Sequence, residues 1–351
     1  MTMEKITVDN FITDDQTDKV YISSLIDTKD GDLDVKTRSK LKACILKYCR
    51  DCELLYNTRD VWARDYMPIQ LTGKTKKSKA VYLSFTYKPD YLHYYPECTT
   101  NWQLHNVHTK KQVANKEHFD FDIVQMPIIL DGGNVIKAIV KNKPCIIMCD
   151  KVLKENNVNE SEFRDWWERW WKDNFDGSEM QLVLLPWEGK DDNPIGHADG
   201  MVRYIEDGRV LMTNYLDFDK RYNDNAGLKI KEKLEIAGFK VGVLGYLDKF
   251  KEDKLFSLLF RHSWCYINYL QVGKRILLPS LGYDDLDNEA KQQIKDIFDR
   301  ETNNEYEIKL LSEIDSDIDM VSIVEDMNDK QNSGGALNCL TWTVRTKNID
   351  E

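Results

Sequence analysis

The chain has 351 residues, 42% of them apolar and 31% charged, with a formal net charge of −11. That apolar share belongs to a chain that buries a core rather than to a disordered one. The acidic balance excludes nucleic acid as the main partner, because neutralising phosphates needs a basic face.

No stretch approaches the ~18 apolar residues of a membrane helix, so no membrane partner is expected. Residues 1–14 carry Glu4, Asp9 and Asp14 and no apolar run of signal-peptide length, which predicts a cytoplasmic protein. The eight cysteines form no dense framework, consistent with a reducing compartment. Cys49 and Cys52 make one Cys-x-x-Cys without a second pair, so no metal site is expected. An acidic surface serves solubility, and an acidic cleft would also concentrate a cationic substrate.

In chain order, 33–49 predicts a helix with Leu41, Cys44, Ile45 and Tyr48 on one stripe. Short runs rich in branched and aromatic residues predict strands at 80–87, 123–130, 135–140 and 145–149. Phe163, Trp166, Trp167, Trp170 and Trp171 repeat with helical period in a charged stretch. Aromatics bury so much area that core packing is preferred to a ligand box. Strands are predicted at 180–186 and 209–214, then a helix at 226–237 with Gly238 as its C-terminal cap. Strands follow at 241–246, 264–270 and 275–279. A helix spans 286–298 with Leu286, Ala290, Ile294 and Ile297 inward, and strands at 306–311 and 337–344 close the chain. Two long irregular stretches, 88–116 and 313–333, have the length of functional lids. No linker divides the chain, so the pattern predicts one α+β domain of several similar units.

Four patterns carry chemistry. Trp62-Ala63-Arg64-Asp65 contains an Arg–Asp pair that alone would read as a surface ion pair. Asp131-Gly132-Gly133-Asn134 alone reads as a tight turn. Gly196-His197-Ala198-Asp199-Gly200 puts an imidazole and a carboxylate two residues apart, on one side of an extended segment. Gly334-Gly335-Ala336-Leu337-Asn338-Cys339 leads a glycine pair into a strand, where a cysteine is commonly a small buried apolar residue.

In this order the four patterns resemble the agmatine deiminase and bacterial-type peptidylarginine deiminase family of guanidine-modifying enzymes. The similarity covers about 57–344 and extends to Cys265-Tyr266-Ile267-Asn268-Tyr269 followed by Ile276-Leu277-Leu278-Pro279. The resemblance implies the pentein fold, an α/β propeller of five ββαβ-type modules around a pseudo-five-fold axis, as a single domain over 1–351. It implies Cys339 as nucleophile, His197 as general acid and base, and Asp65 and Asp199 as the carboxylates that hold a guanidinium. Trp62 would form pocket wall, Asp131 would orient His197 or touch substrate, and Asn268 would contact substrate or support the site. The reaction implied needs no metal or organic cofactor. Its partner is a small cationic guanidino substrate, agmatine first, and the chain is expected to form a homo-oligomer. A peptidylarginine or other guanidino-metabolite deiminase, an amidinotransferase and a non-catalytic pentein binding module stand as alternatives. The chain departs from the family pattern at Met67 in place of glycine, Asp131 in place of glutamate, and Asn338 where histidine is usual. These departures surround the pocket and bear on substrate choice.

Overall fold

The computed structural model describes residues 6–7, 10–27, 35–58, 60–89, 121–176, 179–187, 196–218, 223, 225–250, 252, 262–302, 304–318, 320 and 335–350. The expected irregular stretches 88–116 and 313–333 therefore lie largely outside the described residues.

Strand β1 (Ile6–Thr7) is followed by β2 (Lys19–Ser23), helix α1 (Val35–Cys49) and β3 (Cys52–Leu55). Helix α2 (Ala63–Tyr66) leads into β4 (Ile69–Thr72), β5 (Ala80–Thr86) and β6 (Phe121–Ile129). Next come β7 (Ile136–Val140), β8 (Lys143–Cys149), α3 (Lys151–Glu155), α4 (Glu160–Asn174), β9 (Phe175–Asp176) and β10 (Gln181–Leu185). Strands β11 (Val202–Glu206) and β12 (Arg209–Thr213) precede α5 (Tyr215–Phe218), α6 (Ala226–Ile236) and β13 (Lys240–Leu244). Strands β14 (Leu270–Val272) and β15 (Arg275–Leu278), helix α7 (Asp284–Glu301), β16 (Glu307–Leu310) and β17 (Thr341–Val344) complete the chain.

Among the described residues, five three-stranded sheets share one topology. A first strand pairs antiparallel with the middle strand, and a third pairs parallel with it: β4-β5-β6, β7-β8-β10, β11-β12-β13, β14-β15-β16 and β17-β2-β3. A parallel pair needs a crossover, and α1, α3–α4, α5–α6 and α7 supply it in four sheets. The copy β17-β2-β3 is split across the sequence: β17 adds to β2, register Trp342 opposite Tyr21, so the end of the chain completes the sheet that its beginning opens. The rhythm expected from sequence is thus five copies of one unit, and β1 pairs separately with β9.

The helices bury the faces their sequences dictate. In α4, Phe163, Trp167, Trp170 and Trp171 are buried, Trp171 stacks on Phe175 at 4.3 Å, and Trp167 Nε1 donates to the Met180 carbonyl at 3.3 Å. These tryptophans are core, and Trp167→Ala is expected to cost about 3–5 kcal/mol. A capping box between Asn159 and Glu162 starts the helix. Helix α6 ends where expected: Gly238 takes φ +102°, its N–H reaches the Glu235 carbonyl, and the Phe239 N–H reaches that of Leu234. In α7, Leu286, Ala290, Ile294 and Ile297 are buried, as their spacing predicts.

Two expectations fail at chemically important places. The segment 264–270 is not a strand: Ser263–Ile267 forms a 3-10 turn and β14 starts only at Leu270. In 337–344 only Thr341–Val344 is strand, and Cys339 sits in the turn before it. Both segments have β-type composition, but tertiary hydrogen bonds described below override it. Among the described residues no helix is long and apolar enough to cross a membrane.

Candidate active site

Each of the five sheets is entered through a tight turn that leads into its first strand. Asp65 lies in α2 before β4, Asp131 begins the turn before β7, and His197 and Asp199 occupy the turn before β11. Asn268 precedes β14 and Cys339 precedes β17. Five equivalent loops therefore deliver these six side chains, and repetition of the module rather than nearness in sequence brings them together. Each of the sequence-expected site residues Trp62, Asp65, Asp131, His197, Asp199, Asn268 and Cys339 is buried, with at most 8% of its surface exposed.

Asn268 builds the nucleophile turn. Its Oδ1 accepts the backbone N–H of Ala336 at 3.2 Å and of Cys339 at 3.3 Å, while its own carbonyl accepts the Asn338 N–H at 3.0 Å. Its Nδ2 donates to the Asp199 carbonyl at 3.2 Å. One buried amide thus ties the Asp199 loop to the Cys339 loop. Those N–H groups are taken by Asn268, so residues 336–340 curl into a turn, closed by Leu340 N–H to the Ala336 carbonyl at 3.2 Å. Arg64 adds a second tie, its N–H donating to the Cys339 carbonyl at 3.1 Å.

The Cys339 Sγ lies 3.4 Å from Asp199 Oδ2, which also accepts the Asn338 Nδ2 at 2.7 Å. The other oxygen, Oδ1, is buried and has no hydrogen-bond partner among the described residues. His197 Nε2 lies 2.9 Å from Asp131 Oδ2, and its Nδ1 lies 3.8 Å from Asp65 Oδ1. Asp65 Oδ1 in turn accepts the Gly133 N–H at 2.8 Å. A Cβ on Gly133 would fall 2.5 Å from Asp65 Oδ1, 2.9 Å from His197 Nδ1 and 3.3 Å from Asp199 Oδ2. The glycine is required because three functional side chains converge over its α-carbon. His197 and Asp199 do share one site, but the extended reading fails: His197 alone is extended, and a 3-10 turn over Ala198–Gly200 places Asp199.

Burial pushes the Cys339 thiol well above its ordinary value, and Asp199 and Asp65 push it further, against the Asn268 side chain. For His197 burial favours the neutral ring, but Asp65 and Asp131 outweigh it and raise the pKa from 6.5 to about 9. Burial likewise raises Asp65, against the pull of His197 and the Gly133 N–H. Taken by themselves, these side chains hold an imidazolium and a neutral thiol at neutral pH. A cation between Asp65 and Asp199 would offset the two charges that disfavour the thiolate.

Sequence reasoning missed several supports. Asn134 accepts the N–H groups of Cys149 and Ala198 at 2.7 and 3.2 Å, and so locks the Asp131 turn to the His197 turn. Lys151 and Glu155 form a largely buried pair at 3.2 Å, and both interact electrostatically with His197. An i,i+4 pair in a sequence reads as an ordinary exposed one, so nothing flagged it. Asp60 accepts the Trp62 N–H at 2.8 Å, and burial raises its pKa well above normal. Trp62 packs against Gly335, where a Cβ would fall 2.1 Å from the ring. Among the described residues no group of three or more His, Cys, Asp or Glu could hold a metal ion.

Comparison with known proteins gives a family and a fold. Residues 33–309 match the family described as Porphyromonas-type peptidyl-arginine deiminase. No match is found among curated proteins. Among solved structures, agmatine deiminase from C. jejuni superposes with a TM-score of 0.64 at 14% identity, covering 97% of this chain and 96% of that one. Agmatine deiminase of Enterococcus faecalis gives 0.63 at 15% identity, covering 98% of each chain. At such identity the likeness shows the fold, the pentein fold that the motif resemblance implied.

Proposed function

This chain belongs to the Porphyromonas-type peptidyl-arginine deiminase family, and on that premise we propose that it is a guanidine deiminase acting through a covalent cysteine intermediate. The observation that carries the reading is Cys339 Sγ at 3.4 Å from Asp199 Oδ2, with the other Asp199 oxygen buried and unpartnered among the described residues. A planar, bidentate cation suits such a carboxylate.

In this reading Asp65 and Asp199 hold the guanidinium and aim its carbon at Sγ. The bound cation favours loss of the thiol proton to solvent water, and the thiolate adds to the guanidinium carbon. His197 starts as the imidazolium, held so by Asp65 and Asp131, and gives its proton to the departing nitrogen. Ammonia leaves and an S-alkylthiouronium remains on Cys339. His197, now neutral, takes a proton from water as that water attacks, and collapse expels the thiolate and yields the ureido product. The order, acid first and base second, follows from the raised pKa of His197.

Agmatine, giving N-carbamoylputrescine and ammonia, is the substrate proposed first, supported by the fold shared with agmatine deiminases. We also read the five sheets as blades about a pseudo-five-fold axis in one domain. The first strands of four sheets line a common cavity, which supports that arrangement.

The test is ammonia release from agmatine, free arginine, a blocked arginine peptide and methylguanidine, with and without an added amine. Release from agmatine, abolished in Cys339→Ala, is expected. Release from another guanidine would move the substrate. Amidine transfer to the amine would replace hydrolysis by transfer, and no turnover with retained binding would favour a binding module.

A further inference from the structure

The cavity common to four sheets reaches Asp199 and Asn338 but not Cys339, His197 or Asp65. Four first strands line it: Gln70 of β4, Lys137 of β7, Arg203 of β11 and Thr343 of β17, together with Asp14 and Arg64. Its free volume is about 30 Å³, room for one or two water-sized species and too little for a larger metabolite.

Its charges are unusual for an interior. Arg64, Lys137 and Arg203 face Asp14 and Asp199, three cations against two carboxylates. Arg203 is 4% exposed, gives one nitrogen to Asp14 Oδ2 at 3.2 Å and stacks over the Tyr269 ring at 4.5 Å. Arg64 is held by the Asn338 carbonyl and the Thr343 hydroxyl. Lys137 is 9% exposed, and among the described residues its ammonium has neither a hydrogen-bond nor an ion-pair partner. A buried ammonium without a partner is costly. Asp14 offsets it only in part, because that carboxylate is also given to Arg203. Burial works against ionised Asp14, yet Arg64, Arg203 and Lys137 outweigh it and hold its pKa below the usual value. The local field therefore favours negative charge.

We propose that this cavity binds one small monovalent anion of halide size, held by the Lys137 ammonium with the Arg203 and Arg64 guanidinium groups. The small volume suits a compact ion, and the surplus cation and the unmatched Lys137 ammonium select an anion over water. The site shares Asp199 with the reaction proposed for Cys339 but does not depend on that reaction being correct.

The experiment uses the full chain and bromide as probe. Thermal unfolding is followed while sodium bromide replaces sodium gluconate at constant ionic strength, and crystals grown in bromide are measured at the bromine absorption edge. The expected result is a saturable rise in Tm of roughly 2–4 °C, absent in Lys137→Met, with one anomalous peak between Lys137 and Arg203. Superimposable bromide and gluconate series without that peak would overturn the proposal, as would a full rise retained in Lys137→Met. If Lys137→Met does not fold, the anomalous peak in the unsubstituted protein decides alone.

Discussion

Asp131 Oδ2 lies 2.9 Å from Nε2 of His197, on the opposite side of the ring from Asp65. An imidazole between two buried carboxylates is biased toward its protonated form. Asp131→Asn removes one of those charges and lowers the His197 pKa from about 9. The imidazolium is the competent acid, so activity falls as pH rises through this pKa. The substitution is expected to move the alkaline limb of the kcat/KM profile down by about one unit or more and to lower kcat by roughly 10²-fold. An unmoved limb would remove Asp131 from the control of His197.

Asp199 has two effects of opposite sign. It is proposed to bind the guanidinium, and it also disfavours the Cys339 thiolate. Asp199→Asn is therefore expected to lower turnover by roughly 10²–10³-fold while making Cys339 alkylate faster with iodoacetamide at neutral pH. Slower alkylation together with lost turnover would indicate a collapsed loop instead.

Asn268 supports two loops. Asn268→Ala leaves the buried N–H groups of Ala336 and Cys339 without their acceptor. Two such groups cost about 2–4 kcal/mol together, which thermal unfolding would register. At a temperature where the variant stays folded, kcat is expected to fall more than KM changes, because the nucleophile turn loosens. Unchanged stability would mean that another group replaces the amide.

Gly335 matters by what it lacks. A methyl there would overlap the Trp62 ring at 2.1 Å, so Gly335→Ala must displace the indole. With Trp62 as pocket wall, KM is expected to rise roughly tenfold with a smaller change in kcat. Steady-state kinetics on the best substrate of the panel distinguishes this from a general loss of activity.

The longer helices were legible in the sequence because their signals are local, whereas the short α2, α3 and α5 were not. The Trp stripe of α4, the inward face of α7 and the Gly238 cap each follow from spacing within one turn or two. The short strands β2, β3, β4 and β11 were missed, since four or five residues give too little alternation to separate strand from loop. The turns at 263–267 and 336–340 were read as strands because their shape is set from afar: Asn268 captures N–H groups 68 and 71 residues away. The same non-locality hid Asn134 and Lys151. The seven site residues are expected because four weak patterns and the segment 265–269 fall in a familiar order, and each lies in or beside a turn that opens a repeated sheet.

The most direct measurement is the intact mass of protein quenched in acid during turnover of a guanidine substrate. Attack by Cys339 predicts a population heavier by the mass of the substrate less ammonia, on the peptide containing Cys339 and absent from Cys339→Ala. Ammonia release at the full rate in Cys339→Ala, with no adduct on the unsubstituted protein, would contradict the account.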